Sequence, residues 1–255
     1  MAWFPIIGQM ECTRTGVILA AGLGSRLAEA GENSSTKPLV YVHGEPLLNR
    51  TLRGLEIAGC SRVVIVLGHA AGIIRPEIEK SYLGPTELKF VTNEKYELQN
   101  GISVLCARPY VEDQFILTMA DHVFDDEIMQ LAGEHQPIIH GATLCVDFKV
   151  ESVFDMDDAT KVLAKDGVMQ AIGKKLENFN CVDTGLFICT TALMDALEEF
   201  YGKNNDASLS NGVQTLASRG KMRVLDIKDA FWQDVDTPEM LAHAEKVLAA
   251  RATDK

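Results

Sequence analysis

Basic residues are scarce in this sequence: 24 Lys and Arg stand against 36 Asp and Glu, a formal net charge of −12 over 255 residues. A chain that coats nucleic acid without sequence preference needs a basic face, so that class is excluded. Long apolar runs are missing as well. No stretch approaches the ~20 residues needed to cross a bilayer as a helix, and no membrane span is predicted. The opening MAWFPIIGQMECTRTG has no basic n-region and only a very short apolar segment, which predicts no signal peptide and a cytoplasmic protein. The six cysteines (Cys12, Cys60, Cys106, Cys145, Cys181 and Cys189) form no C-x-x-C pair. They read as buried thiols of a reducing compartment.

What is present is a composition of 47% apolar and 24% charged residues, enough for a sizeable core and incompatible with disorder or a disulfide mini-protein. The length suits one large α/β domain. Short β-rich runs at 16–22, 62–68, 88–93 and 115–122 alternate with helical stretches at 46–59, 101–107 and 126–134. Leu48, Leu52 and Leu55 fall at i, i+4, i+7 and make the first helix amphipathic. A weaker helix after residue 70 contains Pro76, expected to kink it or to mark its true start. Further strands are predicted at 142–148, 168–173, 182–190 and 222–227, with a helix at 191–201. Thr237-Pro238-Glu239 reads as N-cap, proline and acid opening a last helix, with Leu241, Ala244 and Leu248 as its buried stripe. Such alternation predicts a mostly parallel mixed sheet with helices on both faces. Ligands bind such sheets at the carboxyl ends of strands.

The residues after those strands carry the chemistry. AAGLGSR (Ala20 to Arg26) follows the first strand. Its glycines let backbone N–H groups approach a polyphosphate, and Arg26 adds a fork of donors. Lys37, fixed in place by the following Pro38, adds a point charge. A plain βα turn is the alternative for the glycines. Leu27 stands where a dinucleotide fingerprint needs its third glycine, and no P-loop string exists. Asp121 in TMADH ends a strand and reads as a Mg²⁺ ligand or as a helix cap. His122 reads as a phosphate contact or a structural histidine. Asp234 and Asp236 in WQDVDTP share one face of an extended segment, and otherwise belong to a turn before the last helix. Asn100 and Gly101 sit at a strand-to-helix turn able to read a base edge, or on a plain surface loop. Lys161 and the IGKKL pair lie at strand ends, where lysines either take a phosphate or are merely solvated.

Together the LAAGLGSRL and KPL strings, the mid-chain Asp and the late DVDTP resemble the sugar-phosphate nucleotidyltransferases, from about Thr15 to Ala250. NEKY, NGIS, TMADH, DDATKV, IGKKL, VDTGLF and WQDVDTP are most similar to the CTP:inositol-1-phosphate cytidylyltransferases. The resemblance implies a single Rossmann-like nucleotidyltransferase domain over 15–255, after an N-terminal extension at 1–14. It implies transfer of a cytidylyl group from CTP to a small phosphorylated alcohol, with Mg²⁺ and release of pyrophosphate. Leu19, Ala20, Ala21, Gly22, Gly24, Ser25 and Arg26 would form the triphosphate cradle. Arg26, Lys37 and Asp121 would be catalytic, and Asn100, Gly101 and Ser103 would lie near the base. Asp121 would hold the metal with Asp234 or Asp236, the latter slightly preferred. His122 and Lys174 would meet the acceptor's phosphate, and Asp147 and Asp183 its hydroxyls. Phosphocholine, phosphonate and sugar-1-phosphate transferases share these strings and stay open as alternatives, as do a non-catalytic module of the same fold and the oligomeric state. In many members the domain is fused to a membrane-embedded synthase; these residues read as the transferase half alone. A phosphate monoester is largely dianionic at pH 7 and needs no general base, which agrees with the lack of a catalytic His or Cys constellation.

Overall fold

A computed structural model describes residues 14–22 and 36–253. The first strand, β1 (Arg14–Ala20), shows why the core has two sides. Successive side chains point to opposite faces of a strand. Val17 and Leu19 accordingly enter one apolar cluster, and Ile18 and Ala20 the other. After a 3-10 turn at Lys37–Leu39, a small hairpin of β2 (Tyr41–Val42) and β3 (Glu45–Pro46) leads into helix α1 (Leu47–Ile57). The predicted stripe Leu48, Leu52 and Leu55 is fully buried there. Gly16 lets α1 lie against β1: a Cβ at that position would stand 2.8 Å from Leu55 Cδ1.

The chain continues through β4 (Cys60–Leu67), α2 (Ala71–Ser81), β5 (Glu87–Thr92), α3 (Asn100–Cys106) and β6 (Gln114–Met119). Pro76 lies inside α2 and does not mark its start. The burial of Ile74 and Ile78 keeps the helix together although the proline offers no N–H to the preceding turn. The strand expected over 115–122 is broken at Ala120 and Asp121, and β7 (His122–Phe124) follows as a separate piece. Then come α4 (Asp126–Glu134), β8 (Ala142–Asp147), β9 (Lys161–Lys165), β10 (Val168–Gly173) and β11 (Cys181–Thr190). Helices α5 (Ala192–Asn204) and α6 (Leu209–Ser218), strands β12 (Met222–Asp226) and β13 (Trp232–Asp234), and helix α7 (Pro238–Thr253) complete the described chain. Sequence reading passes over α6, although Ser208 and Asn211 form a capping box and Leu209, Val213 and Leu216 repeat at i, i+4, i+7.

One nine-stranded sheet runs β5-β4-β1-β6-β11-β8-β12-β10-β9. It is mixed, as expected, and its parallel character is concentrated in one half. The pairs β5/β4, β4/β1 and β1/β6 are parallel. Beyond β6, only β8/β12 is parallel, and β11 and β10 run against their neighbours. Helices cover both faces. Ile102 of α3, Leu193 and Leu197 of α5 and Val213 of α6 pack on one. Leu52 of α1, Ile74 of α2 and Ile128 of α4 pack on the other. Helix α7 adds a small third cluster in which Ala244 meets Val42, Val123 and Val235. Among the described residues no helix is long and apolar enough to cross a membrane.

Candidate active site

β1 pairs with β4 on one side and β6 on the other. The sheet order therefore reverses at β1, and a crevice opens at the carboxyl ends of β1 and β6. Ala120 donates its N–H to the Leu19 carbonyl (3.1 Å), which pins the turn after β6 to the end of β1. Val235 donates to the Asp121 carbonyl (2.9 Å). The ribbon of β7 and β13 sets His122 opposite Asp234. These backbone bonds carry the late acids of WQDVDTP to the mid-chain Asp121.

Lys37 enters from the 3-10 turn, whose Pro38 is buried. Its ammonium lies 2.5 Å from Asp121 Oδ2 and also donates to Asp236 Oδ1. The second oxygen of Asp121, Oδ1, accepts from His122 Nδ1 at 2.6 Å. The His122 ring lies near-parallel to those of Phe124 (5.9 Å, 22°) and Trp232 (6.3 Å, 17°). Gly185, at φ +76°, closes over the far nitrogen, and a Cβ there would stand 2.5 Å from His122 Nε2. Burial disfavours the charge on Asp121, but the His122 ring and the Lys37 ammonium outweigh it and hold the carboxyl below the usual range. Burial likewise opposes protonation of His122, yet Asp121 first and Asp234 next raise its pKa. The same bond thus favours the charged form of both partners.

Asp121, Asp234, Asp236, Asp183, Asn100 and Lys174 line one cleft of about 320 Å³. Asp183 accepts from the Gly185 N–H (2.7 Å), and burial pushes its carboxyl up to about 6 against the pull of that bond and of His122. Lys174 reaches Asp158 at 2.6 Å and is largely solvated. Asn100 also ties α3 to α6, since its Oδ1 accepts from the Leu209 N–H at 2.8 Å. Gly101 is demanded by packing, because a Cβ would meet the Ala207 carbonyl at 2.5 Å. Ser103 is buried and its hydroxyl accepts from Asn93 Nδ2 (3.0 Å).

Asp147 lies elsewhere. It is 3% exposed, and its oxygens take the Trp232 indole N–H (2.9 Å), the Lys149 backbone N–H (2.7 Å) and the Lys149 ammonium (2.8 Å). It faces a second cavity, also about 320 Å³, shared with Phe154, Phe231 and His243. Leu19, Ala20 and Ala21 are buried at the end of β1, and Gly22 is exposed beyond them. Gly24, Ser25 and Arg26 lie outside the described residues. Two residues that build the site, Trp232 and Gly185, were visible only as letters of WQDVDTP and VDTGLF. Nothing local signals that either one packs on His122.

A family model described as the MobA-like NTP transferase domain matches residues 16–209. The chain belongs to that family. The nucleotidyltransferase resemblance and the α/β fold expected from the sequence both hold. Among solved structures, the inositol-1-phosphate CTP transferase from T. maritima superposes with a TM-score of 0.79 at 26% identity, covering 92% of this chain and 97% of that one. The Bifunctional IPC transferase and DIPP synthase of Aquifex aeolicus is 31% identical over 239 residues, 93% of this chain and 52% of that protein. The CMP-5'-(3-aminopropyl)phosphonate synthase of Streptomyces rubellomurinus is 36% identical over 242 residues, 87% of this chain and 37% of that protein. The chain thus spans about half the length, or less, of these two curated relatives.

Proposed function

We propose that this family member transfers the cytidylyl group of CTP to inositol 1-phosphate and releases pyrophosphate. One observation carries the reading: Lys37, Asp121 and Asp236 converge at the carboxyl end of β6, in a fold shared with an inositol-1-phosphate CTP transferase. An oxygen of the acceptor's phosphate attacks the α-phosphorus of CTP. The new O–P bond forms as the bond to the pyrophosphate oxygen breaks, and the electron pair leaves with pyrophosphate. The acceptor is already an anion, so no side chain must remove a proton. Catalysis is then a matter of alignment and of positive charge placed against the phosphates. Lys37 supplies such charge beside the α-phosphate. The Gly22–Arg26 segment receives the triphosphate, with Arg26 catalytic alongside Lys37 and Asp121. Asn100, Gly101 and Ser103 border the base. Lys174 takes the acceptor's phosphate, Asp183 its hydroxyls, and His122 holds the Asp121 carboxylate in place.

The donor set suits a divalent cation. Asp121 and Asp236 are hard oxygen ligands that already share one positive charge. The described residues contain no group of three candidate ligands. Mg²⁺ commonly uses one or two carboxylates and completes its shell with phosphate oxygens and water. Asp121 and Asp236 would hold it, with Asp234 alongside. When bound there it supplies charge neutralisation and Lewis acidity at the phosphates.

A second reading keeps the chemistry and changes the acceptor. Asp155, Asp158, Asp183 and Asp234 give the acceptor end of the cleft a negative lining. An amino group beside the phosphorus-bearing end would suit it, as the phosphonate relative's name suggests. The deciding experiment measures pyrophosphate release with CTP, UTP and GTP against inositol 1-phosphate, phosphocholine, aminoalkylphosphonates and sugar 1-phosphates. Preference for CTP with inositol 1-phosphate is expected. Faster turnover with an aminoalkylphosphonate establishes the second reading, and preference for UTP or GTP removes both.

A further inference from the structure

We propose that Lys37 is a positioning residue as well as a phosphate contact: in the nucleotide-free protein its ammonium occupies the place of the divalent cation between Asp121 and Asp236, so that the cation is accepted only together with the nucleotide. This rests on the nucleotidyl-transfer reading and adds an order of events to it.

The geometry carries the argument. An ammonium has three donors on a flexible stem. Two of those at Lys37 are spent on carboxylates that come from distant parts of the chain. The three side chains are 12%, 27% and 16% exposed at Lys37, Asp121 and Asp236, so water screens them weakly. Removing the ammonium would take away the positive charge that bridges the two carboxylates. Both oxygens of Asp121 already carry a donor, His122 at Oδ1 and Lys37 at Oδ2. A divalent cation arriving alone therefore competes with the ammonium for both carboxylates, and like charges oppose its approach.

A triphosphate changes that balance. It offers Lys37 a new set of anionic oxygens, which frees both carboxylates for the cation. The backbone need not move, since buried Pro38 and the Val40 N–H bond to the Lys37 carbonyl (3.1 Å) anchor the turn. Only the side chain swings. Nucleotide and cation then strengthen each other's binding by the same factor, as linkage requires.

The test uses the full chain and Mn²⁺ as the probe, with bound metal read by electron paramagnetic resonance and no turnover involved. Without nucleotide, wild-type protein is expected to bind Mn²⁺ at least tenfold more weakly than the Lys37→Met variant. Mn²⁺ should raise the melting temperature of that variant and leave the wild type nearly unchanged. Lys37→Arg, which keeps the charge, should bind free Mn²⁺ as weakly as wild type. With saturating α,β-methylene CTP, wild type should gain at least tenfold in metal affinity over the nucleotide alone. Tight Mn²⁺ binding by nucleotide-free wild type overturns the proposal, even if Lys37→Met does not fold, and so does a folded Lys37→Met without the gain. The two failures separate cleanly. A protein that transfers cytidylyl groups yet shows no Lys37-dependent metal exclusion loses this inference alone. One that shows the exclusion yet makes no product from CTP loses the catalytic reading.

Discussion

The indole N–H of Trp232 donates to the buried carboxylate of Asp147 across 2.9 Å. That bond fixes the plane of a ring lying 6.3 Å from His122, which in turn holds Asp121. Asp147, expected from the resemblance to meet hydroxyls of the acceptor, is thus engaged with the wall of the cleft. Trp232→Phe keeps the stack and deletes the donor. A hydrogen bond to a charged group contributes about 1.5–3 kcal/mol, and Lys149 still neutralises the carboxylate. A stability loss of about 1–2 kcal/mol in urea unfolding is expected, with the KM for the acceptor little changed. A large rise in that KM would return Asp147 or Trp232 to the acceptor site.

Asp121→Asn is nearly isosteric but removes the charge shared by Lys37 and His122. Turnover should fall at least a hundredfold while far-ultraviolet circular dichroism stays native. The His122 pKa, read by proton NMR, should drop in the variant, because Asp121 is the partner that raises it most. Retention of most activity in a folded variant would remove Asp121 from the reaction.

Asp183 has a folded pKa pushed up to about 6 by burial. Its raised value means the fold binds the proton better than the unfolded chain does. The corresponding stability is fully present below the unfolded carboxylate pKa and is lost as pH rises through about 6. Asp183→Asn abolishes this dependence. Because the residue is half-buried and meets cleft water, the variant should exceed wild type by about 1–2 kcal/mol above pH 7 and match it near pH 3.5. Chemical denaturation at the two pH values checks the sign. The acceptor KM should rise in the same variant if the carboxylate meets hydroxyls.

Gly185 has a φ of +76° and sits against His122 Nε2. An alanine there faces both an unfavourable backbone region and a ring packed beside Phe124 and Trp232. Gly185→Ala should cost about 1–3 kcal/mol and lower kcat by displacing the His122–Asp121 pair. A thermal unfolding curve and a kcat like those of wild type would show that the ring has room to move.

Much of the cleft was legible as sequence because its residues stand at the ends of apolar runs. Asp121 follows the Phe115–Met119 run, and Lys37 is marked by the proline behind it. The choice between Asp234 and Asp236 was not legible. Two residues apart on an extended segment they are equivalent, but β13 ends at Asp234. Asp234 is left opposite His122, and Asp236 turns onto Lys37. The role of Asp147 was hidden because its partner Trp232 lies far away in the chain.

By itself the sequence determined the alternation of strands and helices, the two-faced burial of β1 and β4, the capped start of α7 and the family. Each of these is encoded in side-chain periodicity or turn chemistry within a few residues. The tertiary structure alone decided where the parallel half of the sheet stops, which late aspartate meets Lys37, and that Trp232 and Gly185 lie against His122. Those outcomes depend on backbone pairing between segments far apart in the chain, such as β7 with β13, and no local pattern of residues specifies which distant partner will be met.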